Sequence, residues 1–136
     1  MGRLLAVDYG LKRVGLAVTD PLRIIASPLD TIATHQVLSF LTRYCQQEMV
    51  DAFVVGLPKK LDDSDTDATQ PVRNFVLQLG KKFQQPVYLH DERFTSRMAL
   101  DAMIAGGTSK KYRRQKGNID KVSATIILQS YLEATS

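Results

Sequence analysis

The stretch that decides the fold is Arg3-Leu4-Leu5-Ala6-Val7-Asp8-Tyr9-Gly10-Leu11-Lys12-Arg13-Val14-Gly15-Leu16-Ala17-Val18-Thr19. Arg3 to Val7 and Arg13 to Thr19 are aliphatic and β-branched runs that predict two strands, and Asp8 to Lys12 between them is turn-prone. So short a connection makes an antiparallel hairpin. Ile24 to Ser27 is a third extended stretch, bracketed by Pro21 and Pro28 and therefore expected at a sheet edge. From Thr34 to Glu48 the positions Val37, Leu38, Leu41, Tyr44 and Cys45 recur at helical spacing, with Thr34 as the expected N-cap. Ala52 to Val55 is short and wholly apolar, as suits a parallel strand covered on both faces. A helix is expected from about Thr69 to Phe83, with Pro71 in its first turn and Val72, Phe75, Val76, Leu79 and Phe83 as its apolar stripe. Val87 to His90 is the fifth strand. Thr95 or Ser96 caps a further helix that Gly106-Gly107 ends, and a last helix from about Asp120 to Ala134 carries Val122, Ile126, Ile127 and Tyr131.

The order β-β-β-α-β-α-β-α-α combines a meander with two right-handed crossovers, so the expected fold class is α/β, a mixed five-stranded sheet flanked by helices. The 136 residues suit a single domain over residues 1–136. Apolar residues at 44% and charged residues at 24% fit a folded soluble chain and exclude a disordered one. Neither a membrane span nor a signal peptide is seen. Cys45 stands alone and only His35 and His90 accompany it, too few for a zinc site, and a reducing cytoplasm is expected. The net charge of +4 suits nucleic acid as a partner without requiring it.

In open sheets of this kind ligands gather beyond the carboxyl ends of the parallel strands. Asp8 ends the first strand, Asp91-Glu92-Arg93 follows the fifth, and Asp120 begins the last helix. If that helix packs back along the sheet, Asp8, one of Asp91 and Glu92, and Asp120 converge. Three carboxylates so close repel one another unless a hard divalent cation, Mg²⁺ or Mn²⁺, neutralises them. Paired ions roughly 4 Å apart activate water and stabilise the leaving oxygen in phosphodiester cleavage, so no Ser-His or Cys-His pairing is needed. Each acid alone is more ordinarily a turn former, an N-cap or a surface ion-pair partner, as Glu92 is beside Arg93; their coincidence is what carries weight.

Lys110-Lys111-Tyr112-Arg113-Arg114-Gln115-Lys116 places five basic residues and one aromatic in seven positions just before Asp120. Such a run is usually a solvated loop; here it suits phosphate contact, with Tyr112 available to stack on a base. Arg13, Arg93 and Thr95 join it as candidate nucleic-acid contacts. The acidic segment Asp62-Asp63-Ser64-Asp65-Thr66-Asp67 lacks the glycine and terminal glutamate of an EF-hand and reads as a solvated loop.

The segment Asp8 to Ala17 resembles the opening signature of the YqgF family, also called RuvX, of RNase H-like proteins. Val54-Val55-Gly56-Leu57-Pro58, Asp91-Glu92-Arg93-Phe94-Thr95-Ser96 with Ala99, and Ile119-Asp120 followed by Ile127-Leu128-Gln129 and Tyr131-Leu132 match in order along nearly the whole chain. The resemblance implies an RNase H-like fold and a nuclease that matures the 5′ end of 16S rRNA or resolves Holliday junctions. It also implies that Asp8, Glu92 and Asp120 are the metal-binding catalytic acids. Two departures stand out. Lys60 and the acidic run replace an asparagine and an Asp-Gly turn, and Ser123 with Ala124 replaces two alanines after Asp120.

The expected function is therefore a metal-dependent endonuclease acting on structured RNA, with four-way DNA junctions as the other substrate, as a monomer or homodimer. A non-catalytic nucleic-acid binder is the competing class, against which the three acids argue. Asp8-Tyr9-Gly10 is also similar to the phosphate turn of actin-like ATPases, but those clasp nucleotide between two lobes and this chain supplies one.

Overall fold

The computed structural model describes residues 2–58, 64–91 and 116–135, the side chains of 116–121 excepted. Its elements in chain order are β1 (Arg3–Tyr9), β2 (Arg13–Thr19), β3 (Ala26–Ala33), a 3₁₀ turn (Thr34–Gln36), α1 (Val37–Gln47), β4 (Val50–Leu57), α2 (Thr69–Lys82), β5 (Val87–Asp91) and α3 (Lys116–Thr135). The strands form one sheet in the order β3-β2-β1-β4-β5. The β1–β2 and β2–β3 pairs are antiparallel, and β1–β4 and β4–β5 are parallel. The mixed five-stranded sheet and the edge position of β3 are as expected.

Alternation along β1 sorts its side chains onto two faces. Leu5 and Val7, with Val14, Leu16, Phe53 and Val55 from the neighbouring strands, pack against Val37 and Leu41 of α1 and Val72, Phe75 and Leu79 of α2. Leu4 and Ala6, with Ala17, Ala52 and Val54, pack against Ala124, Ile127 and Leu128 of α3. Both faces of the central strands are thus dry, which is why β4 is apolar from Ala52 to Leu57, with Asp51 near its start as the one charged position. Burying each large aliphatic or aromatic side chain here contributes roughly 1.5–3 kcal/mol. Alanines dominate the sheet surface beneath α3, so the helix backbone approaches closely. Ser123 and Ala124 are both fully buried there, and the serine departure is absorbed.

Several boundaries differ from the sequence expectation. β1 runs through Asp8 to Tyr9, because pairing of Asp8 with Gly15 and Tyr9 with Val14 extends the ladder into what reads as a turn. The turn is confined to 10–12, where a Cβ on Gly10 would stand 2.5 Å from the Arg13 carbonyl oxygen. β3 is Ala26–Ala33, not Ile24 to Ser27. Asp20 Oδ1 accepts from the Ile24 and Ile25 amides at 2.7 and 2.8 Å and holds them in a turn, so both side chains stay exposed. Pro28 sits inside β3, opposite Ala17 at a register shift, which an edge strand tolerates. Thr34 is not an N-cap: its Oγ1 donates to the Gly10 carbonyl at 2.7 Å, and α1 begins three residues later. β4 extends to Val50–Leu57 and β5 to Asp91, whereas α2 stops at Lys82. α3 begins at Lys116, so Asp120 lies within the helix and is neither its N-cap nor its first residue. Its buried positions are Ser123, Ala124, Ile127 and Leu128; Val122 and Ile126 are half-buried. The helix expected after Thr95 lies outside the described residues. Among the described residues no helix is long and apolar enough to cross a membrane.

Candidate active site

Asp8 is carried by the central strand and shares the face of Leu4 and Ala6, so its carboxylate lies on the α3 side of the sheet, half-buried. Register fixes what stands beside it. Gly15 is its partner on β2, and Gly15 in turn pairs with Thr31. On β4, Val55 pairs with Val7, so Gly56 is the next position, beside Asp8, and Gly56 pairs with His90 of β5. One row thus crosses the sheet as Thr31, Gly15, Asp8, Gly56, His90. Both immediate neighbours of Asp8 lack a side chain, so the carboxylate is flanked by backbone. Glycine within a strand commonly marks a place where a ligand or another backbone comes close.

The far end of the row is tied to α3. His90 Nε2 and Ser130 Oγ share a hydrogen bond at 2.7 Å, and the Tyr131 ring meets the imidazole edge to face at 6.2 Å. Tyr88, two residues earlier, stacks on the same Tyr131 at 5.9 Å. Tyr88 and His90 therefore face α3, and Val87 packs against the cluster on the opposite face. Burial lowers the His90 pKa, with the Asp91 charge opposing it, which keeps the ring neutral at neutral pH. Asp91, adjacent in an alternating strand, points away from Asp8 and is exposed. Sequence spacing leaves Asp91 and Glu92 equivalent; the contacts of His90 put Asp91 on the opposite face of β5 from Asp8, and Glu92 lies outside the described residues.

Position 120 is in the second turn of α3, one turn before Ala124, which packs on Ala6 and its neighbours. The Asp120 side chain, Glu92, Arg93, Thr95 and the run Lys110, Lys111, Tyr112, Arg113, Arg114 lie outside the described residues. Lys116 is described only as the first residue of α3. Arg13 begins β2, half-buried, and by alternation from Val14 it shares the face of Gly15 and Asp8. Among the described residues no group of three His, Cys, Asp or Glu side chains comes together. The donor type still suits a hard divalent cation, since Asp8 supplies a carboxylate whose register neighbours on both sides are glycines.

The acidic segment is partly described. Asp65 accepts from Arg73 Nη1 of α2 at 2.9 Å, so one of its charges is already paired. The buried Thr69 Oγ1 donates to the Pro58 carbonyl at 2.7 Å and accepts from the Thr66 amide at 2.8 Å, closing the chain that leaves β4 onto the start of α2. Cys45 is half-buried and burial raises its pKa, leaving a thiol and no activated nucleophile. Sequence reasoning missed Gly15, Gly56 and His90. Alternation along the fifth strand is the signal that could have drawn attention to His90, and nothing local marks the glycines as neighbours of Asp8.

Comparison with known proteins supplies further findings. The profile of a family described as RuvX, Holliday junction resolvase, matches residues 2–134. A relative from Amoebophilus asiaticus, named as a pre-16S rRNA nuclease, is 52% identical over 135 residues, covering 98% of this chain and 96% of the relative. One of the same name from Phocaeicola vulgatus is 50% identical over 135 residues, covering 98% and 97%. Among solved structures, the fowlpox virus resolvase bound to Holliday junction DNA superposes with a TM-score of 0.63 at 13% identity, covering 98% of both chains. T. thermophilus RuvC with a Holliday junction substrate gives 0.56 at 15% identity, covering 98% and 96%. At such identities these two likenesses establish a shared RNase H-like fold.

Proposed function

The chain belongs to the RuvX family, and from that premise we propose that it is a divalent-metal-dependent endonuclease that hydrolyses phosphodiester bonds at the 5′ end of pre-16S rRNA during ribosome biogenesis. The observation that carries the RNA substrate is the identity of about one residue in two with relatives named for that activity over almost the full length. A four-way DNA junction is the second reading, favoured by the family description. A nucleotide-clasping ATPase and a non-catalytic binder both fit membership of a nuclease family less well.

The catalytic acids are Asp8, Glu92 and Asp120. Asp8 offers its carboxylate on the open row between Gly15 and Gly56. Glu92 is preferred to Asp91 because Asp91 faces away from that row. Asp120 approaches on the helix that packs against the Asp8 face. Mg²⁺ or Mn²⁺ held by these acids would activate water and stabilise the leaving oxygen. The protein's own residues bind and orient the substrate: Arg13, Arg93 and the run from Lys110 to Lys116 neutralise backbone phosphates, Thr95 adds a hydroxyl donor, and Tyr112 stacks on an exposed base.

The test offers a pre-16S rRNA fragment and a four-way junction side by side, with Mg²⁺ or Mn²⁺ and with Asp8→Asn as control. Cleavage of the RNA alone, abolished in the variant, is expected. Cleavage of the junction alone selects the second reading, and cleavage of neither with tight binding selects the binder.

A further inference from the structure

The bond between His90 and Ser130 lies outside the acid set, yet it joins the two elements on which two of those acids depend. His90 is in the same row as Asp8, two strands away, at about 10 Å given the spacing of neighbouring strands. It is two residues before Glu92 in the chain. Ser130 is on α3, the single continuous helix that carries Asp120 about 15 Å back along its axis. The joint is well made: 2.7 Å between Nε2 and Oγ, with the imidazole edge against Tyr131 and Tyr131 stacked on Tyr88. Most of the apolar contact of α3 with the sheet is made by aliphatic side chains, Leu4, Ala6, Ala17 and Val54 on the strands and Ala124, Ile127 and Leu128 on the helix, with Tyr131 at its edge. Such packing is non-directional and leaves the helix freer to slide or rotate. A directional bond at the level of Asp8 removes that freedom.

We propose that His90 is a positioning residue for the metal-binding acids, its hydrogen bond to Ser130 locking the carboxyl end of β5 to α3 so that the acids on either side of the joint are held in fixed relation to Asp8. The proposal rests on the assignment of Asp8, Glu92 and Asp120 given above. His90 touches neither substrate nor ion; it acts through the two elements it joins.

The experiment uses the full chain and three variants, His90→Ala, His90→Gln and Ser130→Ala, with melting temperature, RNA binding in EDTA, kcat, KM and the Mn²⁺ concentration for half-maximal cleavage measured for each. Loss of an outer partner of metal ligands commonly weakens metal affinity by about 10- to 100-fold. His90→Ala and Ser130→Ala are therefore expected to raise the half-maximal Mn²⁺ concentration and lower kcat by about tenfold or more, with KM and metal-free RNA binding within about twofold of the parent. His90→Gln places an amide nitrogen near the reach of Nε2 and should recover most of the loss. A folded His90→Ala protein with the parent's Mn²⁺ requirement overturns the proposal, as does failure of the glutamine to recover it. If His90→Ala does not fold, Ser130→Ala decides by the same two criteria. Asp8→Asn separates the layers: a cleaving Asp8→Asn protein removes the acid assignment and this proposal with it, whereas an inactive one beside unperturbed His90 and Ser130 variants overturns the positioning role alone.

Discussion

Asp8 and Gly15 are direct register partners across the β1–β2 ladder, so the carboxylate on the central strand has bare backbone where a neighbouring side chain would stand. Paired Cβ atoms in such a ladder lie about 4.5–5.5 Å apart, close enough for a methyl at position 15 to crowd whatever Asp8 binds. A glycine partner there is of little use to a turn residue and of much use where a ligand approaches the strand.

Asp8→Asn is accordingly expected to lower cleavage by more than about 100-fold while leaving the far-ultraviolet circular dichroism unchanged, because it keeps the shape and removes the charge a cation needs. Gly15→Ala should also lose most of its activity, without loss of fold. Turnover near that of the parent in either pure variant would count against the site.

Metal binding should be visible without substrate. Mn²⁺ at about ten times its dissociation constant stabilises the folded state by about 1.4 kcal/mol, a rise of several degrees in melting temperature for a domain of this size. Asp8→Asn should remove most of that shift. A variant with Asp62, Asp63, Asp65 and Asp67 changed to asparagine should retain it, since Asp65 is already paired with Arg73. The opposite pattern in a thermal scan would place the ion in the acidic segment.

Replacing Lys110, Lys111, Arg113 and Arg114 with alanine should weaken nucleic-acid binding and flatten its salt dependence. The slope of log K against log salt should fall by close to one unit for each backbone phosphate that the variant leaves unneutralised. Titrations between about 50 and 200 mM salt check this. An unchanged slope would return the run to a solvated loop.

Acid stability should depend on Asp51. Its Oδ2 accepts from the Gly2 amide at 2.9 Å and from Arg23 Nη2 at 2.6 Å, and these two interactions, the amide first, hold its pKa below the usual carboxylate value. A carboxyl depressed in the folded state stabilises it above the unfolded pKa and loses that contribution as pH falls through the folded one. Asp51→Asn should therefore melt lower than the parent at neutral pH, and the two melting curves should converge below about pH 4. A gap of constant size across that range would mean that the carboxyl's charge is not the cause.

Ala124→Leu probes the seat of α3. Ala124 is fully buried against a sheet surface lined by Ala6, Ala17 and Ala52, so the added volume has nowhere to go. Chemical denaturation should show a destabilisation of about 1–3 kcal/mol. Activity should fall further than stability alone explains, because the displaced helix carries Asp120.

What is legible in the chain is local. Period-two alternation and apolar runs mark the strands, helical spacing marks α1, α2 and α3, and a carboxylate closing an aliphatic run draws attention to Asp8. The errors fall where a partner distant in sequence decides the outcome. Tyr9 reads as turn because its ladder partner Val14 lies across the hairpin, and Thr34 reads as a cap because nothing nearby shows that the Gly10 carbonyl takes its hydroxyl. Ile24 and Ile25 read as strand on propensity, which the two hydrogen bonds to Asp20 override.

Short stretches of chain dictate the order of elements, the class of fold and the residue types able to hold a cation, because hydrophobic period and side-chain chemistry are local properties. Three-dimensional packing alone settles which face Asp8 shares, that Gly15 and Gly56 flank it, that Asp91 turns away, and that His90 is fastened to Ser130. Those relations depend on strand register and on which side of the sheet α3 covers, and a one-residue change of register would move every side chain to the other face. Register is set by the sum of long-range pairings, and no stretch of chain carries it alone.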